Sequence, residues 1–141
     1  MKEKITQGNV QLVKDFFAAI SGGDKQDLLA LVAEDIEWII PGKDWPLAGT
    51  HRGHAGLENV LQKASEEVEM TYPEPPEFVG QGDRVFVVGI ATGKIKATNR
   101  LFEDNWVFDM TVRKGKLQKI REYIDTQAMA RASEIPKNPG A

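Results

Sequence analysis

The chain has no cysteine among its 141 residues. That absence excludes a disulfide framework, a thiol nucleophile and a thiolate metal site. Histidine is nearly as scarce, with only His51 and His54. Two histidines without a clustered carboxylate beside them are a weak metal signal, so no metal or other cofactor is expected. No apolar run approaches the ~20 residues of a membrane helix, and the start, MKEKITQGN, lacks the apolar core of a signal peptide. Positive charge is not in excess either. Eighteen basic and 21 acidic residues give a net charge of −3, and the basic residues are scattered, so neither nucleic acid nor a membrane is expected as a partner. There is no GxSxG and no P-loop, and the GQGDRV string at 80–85 reads as a hairpin turn. A cytoplasmic protein is the simplest reading.

What is present fits one domain, 1–141, with a core over about 8–132 and a tail, 134–141, expected to fray. The hydrophobic fraction of 41% and charged fraction of 28% are those of a globular protein with a real core. Val10, Val13, Phe17 and Ile20 recur at helical spacing, with Leu12 and Phe16 widening the stripe. Gly22-Gly23 ends that helix, and Asp24 caps a short second one carrying Leu28, Leu29, Leu31 and Val32. DIEWII (35–40) has the composition of a strand, stopped by Pro41-Gly42. PGKDWPLAGTHRG (41–53) reads as a loop, followed by a third helix near 54–68 with Leu57, Val60, Leu61, Ala64 and Val68 on one side.

Everything afterwards reads as sheet. YPEPPEFVG is confined by its prolines to an edge. RVFVVGIATGKI, RLFEDNWVFDMTV and KLQKIREYIDT follow through short turns, giving a four-stranded antiparallel meander. Phe102, Trp106, Phe108, Met110 and Val112 share one face, and Asn105, Asp109, Thr111 and Arg113 the other. Gly89, Ala91 and Gly93 also share a face, which leaves either a hollow or room for a helix to approach.

In the last strand Ile120, Glu122 and Ile124 point one way, against Arg121, Tyr123 and Asp125. A carboxylate between two isoleucines on the apolar phase marks either a register shift or a face bordering a cavity. In a cavity its pKa would rise by desolvation, which suits a general base beside a carbonyl. His51 is a candidate acid, base or donor, or a solvated loop residue. Phe17, Trp38, Trp106 and Phe108 would wall in a flat ligand, or simply pack as core. Trp45 either covers an entrance or is buried against Pro46. Arg52 is expected to pair with Asp44 or another acid. Asp104 shares the phase of Trp106 but lies near a strand start, where exposure is expected.

The order helix, helix, strand, helix, meander, with IPG…LAGTHRGHAGLENVL and GKLQKIREYIDT, resembles the SnoaL-like and ketosteroid-isomerase-like proteins of the nuclear transport factor 2-like superfamily. The resemblance implies an α+β fold: a cone-shaped α+β barrel with three N-terminal helices packed on a curved, mainly antiparallel sheet around an apolar pocket. It places the catalytic acid of SnoaL-like cyclases, and one aspartate of the limonene epoxide hydrolase triad, on Glu122. Together with the residues above it points to a hydrophobic, cyclic carbonyl ligand held by Phe17, Trp38, Trp106, Phe108, Ile120 and Ile124, with proton transfer by Glu122 and His51 or a water assisting at the carbonyl oxygen. Gly89 and Ala91 stand where the epoxide hydrolase has its arginine and second aspartate. Ile40 and Phe108 stand at the isomerase acids, and Ile120 at a cyclase histidine, so no known catalytic set is complete. A binding module without catalysis, or an association domain, remains open. A homodimer through the outer sheet face is expected, with Val88, Ile90 and Val107 as its surface.

Overall fold

In a computed structural model residues 2–43 and 47–134 are described. Trp45, Pro46, Asp44 and the tail 135–141 lie outside them, and with them the expectations for an entrance cover, an Arg52–Asp44 pair and a frayed end. Helix α1 (Lys2–Gly22) buries Val13 and Phe16 completely. It starts earlier than its apolar stripe implies, because Thr6 and Asn9 bind the backbone of Gly82, at 3.1 and 2.9 Å, and so anchor its first turns on a hairpin of the sheet. Gly23, at φ +70°, stops it. Asp24 caps α2 (Lys25–Ala30) by accepting from the Asp27 backbone N–H at 3.0 Å, as expected of an aspartate at that position.

The strands are β1 (Val32–Ile40), β2 (Gly49–Arg52), β3 (Val68–Thr71), β4 (Glu77–Gln81), β5 (Arg84–Ile95), β6 (Arg100–Arg113) and β7 (Lys116–Tyr123), with α3 (Gly53–Glu67) between β2 and β3 and α4 (Thr126–Ser133) at the end. They form one seven-stranded sheet in the order β2-β1-β7-β6-β5-β3, with β4 also on β5. The meander β4 to β7 is antiparallel, and β7 pairs in parallel with β1 on its other side. The result is an α+β fold in which helices cover one face of a mixed, mostly antiparallel open sheet, the cone expected above. Lys114 and Gly115, at φ 52° and 73°, make the tight turn into β7; two successive positive φ values match the right-handed twist of a hairpin.

Five local expectations are corrected. The segment 41–53 is not all loop: β2 pairs with β1 through Trp38 opposite His51. The third helix stops at Glu67, and Val68 opens β3 instead. The chain does not remain sheet to its end, since Asp125 caps α4 by accepting from the Ala128 N–H at 3.0 Å, and Met129 and Ala132 pack on Ile95 and Phe102. Gly89 and Gly93 leave neither a hollow nor helix room: a Cβ at Gly89 would collide with the Trp106 ring and one at Gly93 with the Phe102 ring, so cross-strand aromatics fill the space. Thr111, assigned outward by alternation, is only 9% exposed, because the register slips between Thr111 and Val112 and turns consecutive residues inward.

Candidate functional site

Glu122 lies opposite Phe108 on the antiparallel side of β7, while Ile120 is level with Trp38 on the parallel side. Two residues along β7 from Ile120, the carboxylate therefore comes under the Trp38 indole. Trp38 Nε1 donates to Glu122 Oε1 at 3.0 Å. Burial pushes the Glu122 carboxyl up to about 7; the Trp38 hydrogen bond works against that rise, and the nearby Asp104 charge adds to it. Such a group is poised between acid and base at neutral pH.

The aromatic side chains gather around it. Trp38 and Phe108 have ring centroids 6.2 Å apart, Phe108 and Trp106 5.2 Å, and Phe17 reaches both Phe108 (5.6 Å) and Trp106 (6.4 Å). Ile120 is fully buried beneath them and Ile124 partly so. Trp38, Trp106 and Ile120 are buried, whereas Phe17 and Phe108 keep some exposure.

His51 is placed differently. It stands across from Trp38, but its Nε2 lies 2.8 Å from the Leu47 carbonyl oxygen, and no hydrogen bond joins it to Glu122 among the described residues. His54 Nε2 lies 3.0 Å from the Val32 carbonyl. Arg52 finds Glu37 at 3.6 Å. No group of three or more histidines and carboxylates is placed to hold a metal ion among the described residues.

Two residues near the site were misplaced or missed in the sequence. Asp104, expected to be exposed, is 3% exposed, and its Oδ1 accepts from the Asp125 backbone N–H at 2.8 Å. Burial raises its pKa most, with the Asp125 N–H opposing and the Asp125 charge adding. Its alternation with Trp106 was the available signal. Tyr72 continues the inward phase of Val68 and Met70 and sets its ring 6.3 Å from Trp106, edge on. Its residue surface is 59% exposed, which places it at the rim. Burial, then the charges of Glu122 and Asp104, raise its pKa.

An open groove of about 1280 Å³ lies on the opposite face of the sheet, among Arg84, Asp109, Lys119 and Arg121. It is polar, Arg84 is held on Asp109 by two hydrogen bonds of 3.0 and 2.6 Å, and neither Glu122 nor any of the aromatic residues lines it. Size therefore does not mark the site here; the perturbed carboxyl and its aromatic enclosure do.

The SnoaL-like domain family matches residues 13–123, and the chain belongs to that family. An NTF2-like protein of Burkholderia xenovorans LB400 is 71% identical, covering 92% of this chain and 98% of its own, with a TM-score of 0.88. An NTF2-like protein of Burkholderia thailandensis E264 is 29% identical over 90% and 98%, with a TM-score of 0.80. TerC, solved after co-crystallisation with polyporic acid, is 27% identical over 89% and 97%, with a TM-score of 0.74. No curated protein matches the chain. The fold is that of the NTF2-like proteins. No helix among the described residues is long and apolar enough to cross a membrane.

Proposed function

We propose that the protein binds a small, flat, hydrophobic ring compound bearing a carbonyl, and that Glu122 moves a proton at the carbon beside that carbonyl. The observation that carries this reading is a carboxyl at about 7 inside an aromatic enclosure, with one oxygen held by Trp38. The hydrogen bond fixes the group's orientation and leaves Glu122 Oε2 to take the proton. In an enolisation the carbon–hydrogen bond breaks, its proton passes to the carboxylate, and the electron pair moves to the carbonyl oxygen as an enolate. Returning the proton to another carbon gives isomerisation; attack of the enolate on a second carbonyl gives cyclisation. TerC and its co-crystallised polyporic acid support a ring compound as the ligand class. Phe17 and Phe108 are in ring contact, so a ligand enters by parting these two partly exposed side chains. His51 serves in this reading by holding the Leu47 turn beside the site. The protein acts as a homodimer through the outer sheet face, where Val79, Val88, Ile90, Leu101 and Tyr123 stay exposed.

β-Tetralone in deuterated buffer tests the chemistry. The wild type should accelerate exchange of the protons beside the carbonyl, read by proton NMR, with a rate that rises with pH through about 7 as Glu122 ionises. Glu122→Gln should lose on the order of 10²-fold or more of that acceleration. Equal exchange by the two proteins would sink the assignment. Binding of β-tetralone by the wild type without exchange would instead leave a binding module, the reading favoured by the residues at Gly89, Ala91 and Ile120 that offer no second catalytic group.

A further inference from the structure

Trp106 carries a polar atom that the packing does not use. Its indole is 6% exposed, and Nε1 is the buried side-chain nitrogen or oxygen without a hydrogen-bond partner among the described residues. The other indole of the enclosure, Trp38, spends its N–H on Glu122. A buried donor left unpaired is costly, and indole nitrogens in protein interiors usually find a partner. Phenylalanine occupies neighbouring inward positions of the same strand, at Phe102 and Phe108, so an aromatic ring without a donor fits this surface.

The surroundings of the ring point to a use. Gly89 lies directly across from Trp106. A Cβ there would collide first with Cζ2 and come within 2.7 Å of Cε2, the ring atom bonded to Nε1, so glycine is what admits the six-membered ring of the indole against β5. Tyr72 flanks the ring at the rim and Phe108 on the inner side. Glu122, opposite Phe108, is a diagonal neighbour of Trp106 across the β6–β7 pair. A fixed donor and a proton-accepting carboxylate thus share one apolar enclosure.

We infer that Trp106 Nε1–H is the specificity group of this site and takes a hydrogen bond-accepting oxygen of the ligand. The inference rests on the reading of the enclosure as a ligand site. An indole nitrogen donates and cannot accept, so it selects a ring ketone, quinone or enolate and discriminates against the hydrocarbon of the same shape. Discrimination of this kind is strong because binding the hydrocarbon leaves the donor buried and unpaired. In an enolate the oxygen gains charge, and the same N–H then binds it more tightly than it binds the ketone.

The test compares β-tetralone with tetralin, the same bicycle without its carbonyl, on nitrogen-labelled protein. The Trp106 indole signal is assigned through its contacts with Gly89. In the wild type, β-tetralone should move that signal downfield and bind on the order of tenfold more tightly than tetralin; tetralin should bind without the downfield shift. In Trp106→Phe both probes lose the same stacking, so the ratio of their affinities isolates the hydrogen bond and should fall to near one. The Trp38 indole signal reports whether this variant is folded, and the wild-type shift is read without it. A Trp106 signal unmoved by bound β-tetralone, or a preference kept intact in folded Trp106→Phe, overturns the inference while leaving the enclosure a binding site. Failure of both probes to bind the wild type overturns that reading and this one together.

Discussion

Glu122 is most informative through its effect on stability. In the fold its carboxyl titrates near 7 instead of its ordinary 4.5, chiefly because burial disfavours the charge. Between those two values the folded protein keeps a proton that the unfolded chain releases. The stabilisation is therefore complete below about 4.5, declines as pH rises, and is gone above about 7. With partial solvent access the whole effect is about 2–3 kcal/mol. Glu122→Gln, which stays neutral and can still accept from Trp38, should be more stable than the wild type by about that amount near pH 8, and the gap should close towards pH 5. Urea unfolding at both pH values measures it; equal midpoints at the higher pH would mean a hydrated carboxylate. Glu122 was legible in the sequence because it broke an apolar alternation. Its partner was not, since Trp38 is 84 positions away and reaches it through a parallel pairing that no local pattern encodes. Tyr72 was invisible for a related reason: β3 went unrecognised, so the residue had no strand phase to be read against.

Among the elements, the long strands β5, β6 and β7 could be read because alternation runs over 8–14 residues and turn residues punctuate it. β2 and β3, with four residues each, are too short to show a period and exist because a neighbouring edge accepts them. α4 buries only Met129 and Ala132, too narrow a stripe to stand out. Its position depends on a chain of hydrogen bonds instead, from Asp104 to the Asp125 backbone and from the Asp125 side chain to Ala128. Asp125→Ala should cost about 1 kcal/mol, and hydrogen exchange should quicken in 126–133 before it does in β6. Uniform quickening across the sheet would count against a local clasp. The glycines of β5 make a second expectation at this scale. Gly89→Ala should destabilise by about 1–3 kcal/mol, since the Trp106 ring has to shift to accommodate the methyl group; Gly82→Ala, where a Cβ meets nothing but where φ is +60°, measures the cost of backbone strain alone.

At the scale of the whole molecule the two faces of the sheet do different work. The inner face carries the core and Glu122, while the outer one carries a row formed by Val88, Val107 and Tyr123 across three adjacent strands. Val79 pairs with Phe86 beside that row. Exposed apolar rows of this kind mark association surfaces. The proposed homodimer predicts twice the chain mass by light scattering at micromolar concentration, and Val88→Lys should return it to a monomer with the fold intact. An unchanged mass in that variant would move the interface elsewhere.

The strand order has a consequence for the growing chain. β7 sits between β1 and β6, yet it is made after both. Until residues 116–123 pair, β1 and β6 each lack their neighbour across the gap that β7 fills, and an edge left in that state can template a foreign strand. Glu122 arrives with the strand that closes this gap, fully hydrated and charged, and loses its water only as the keystone slides home. The chemistry of the site and the protection of the nascent protein from aggregation are thus completed by the same late event.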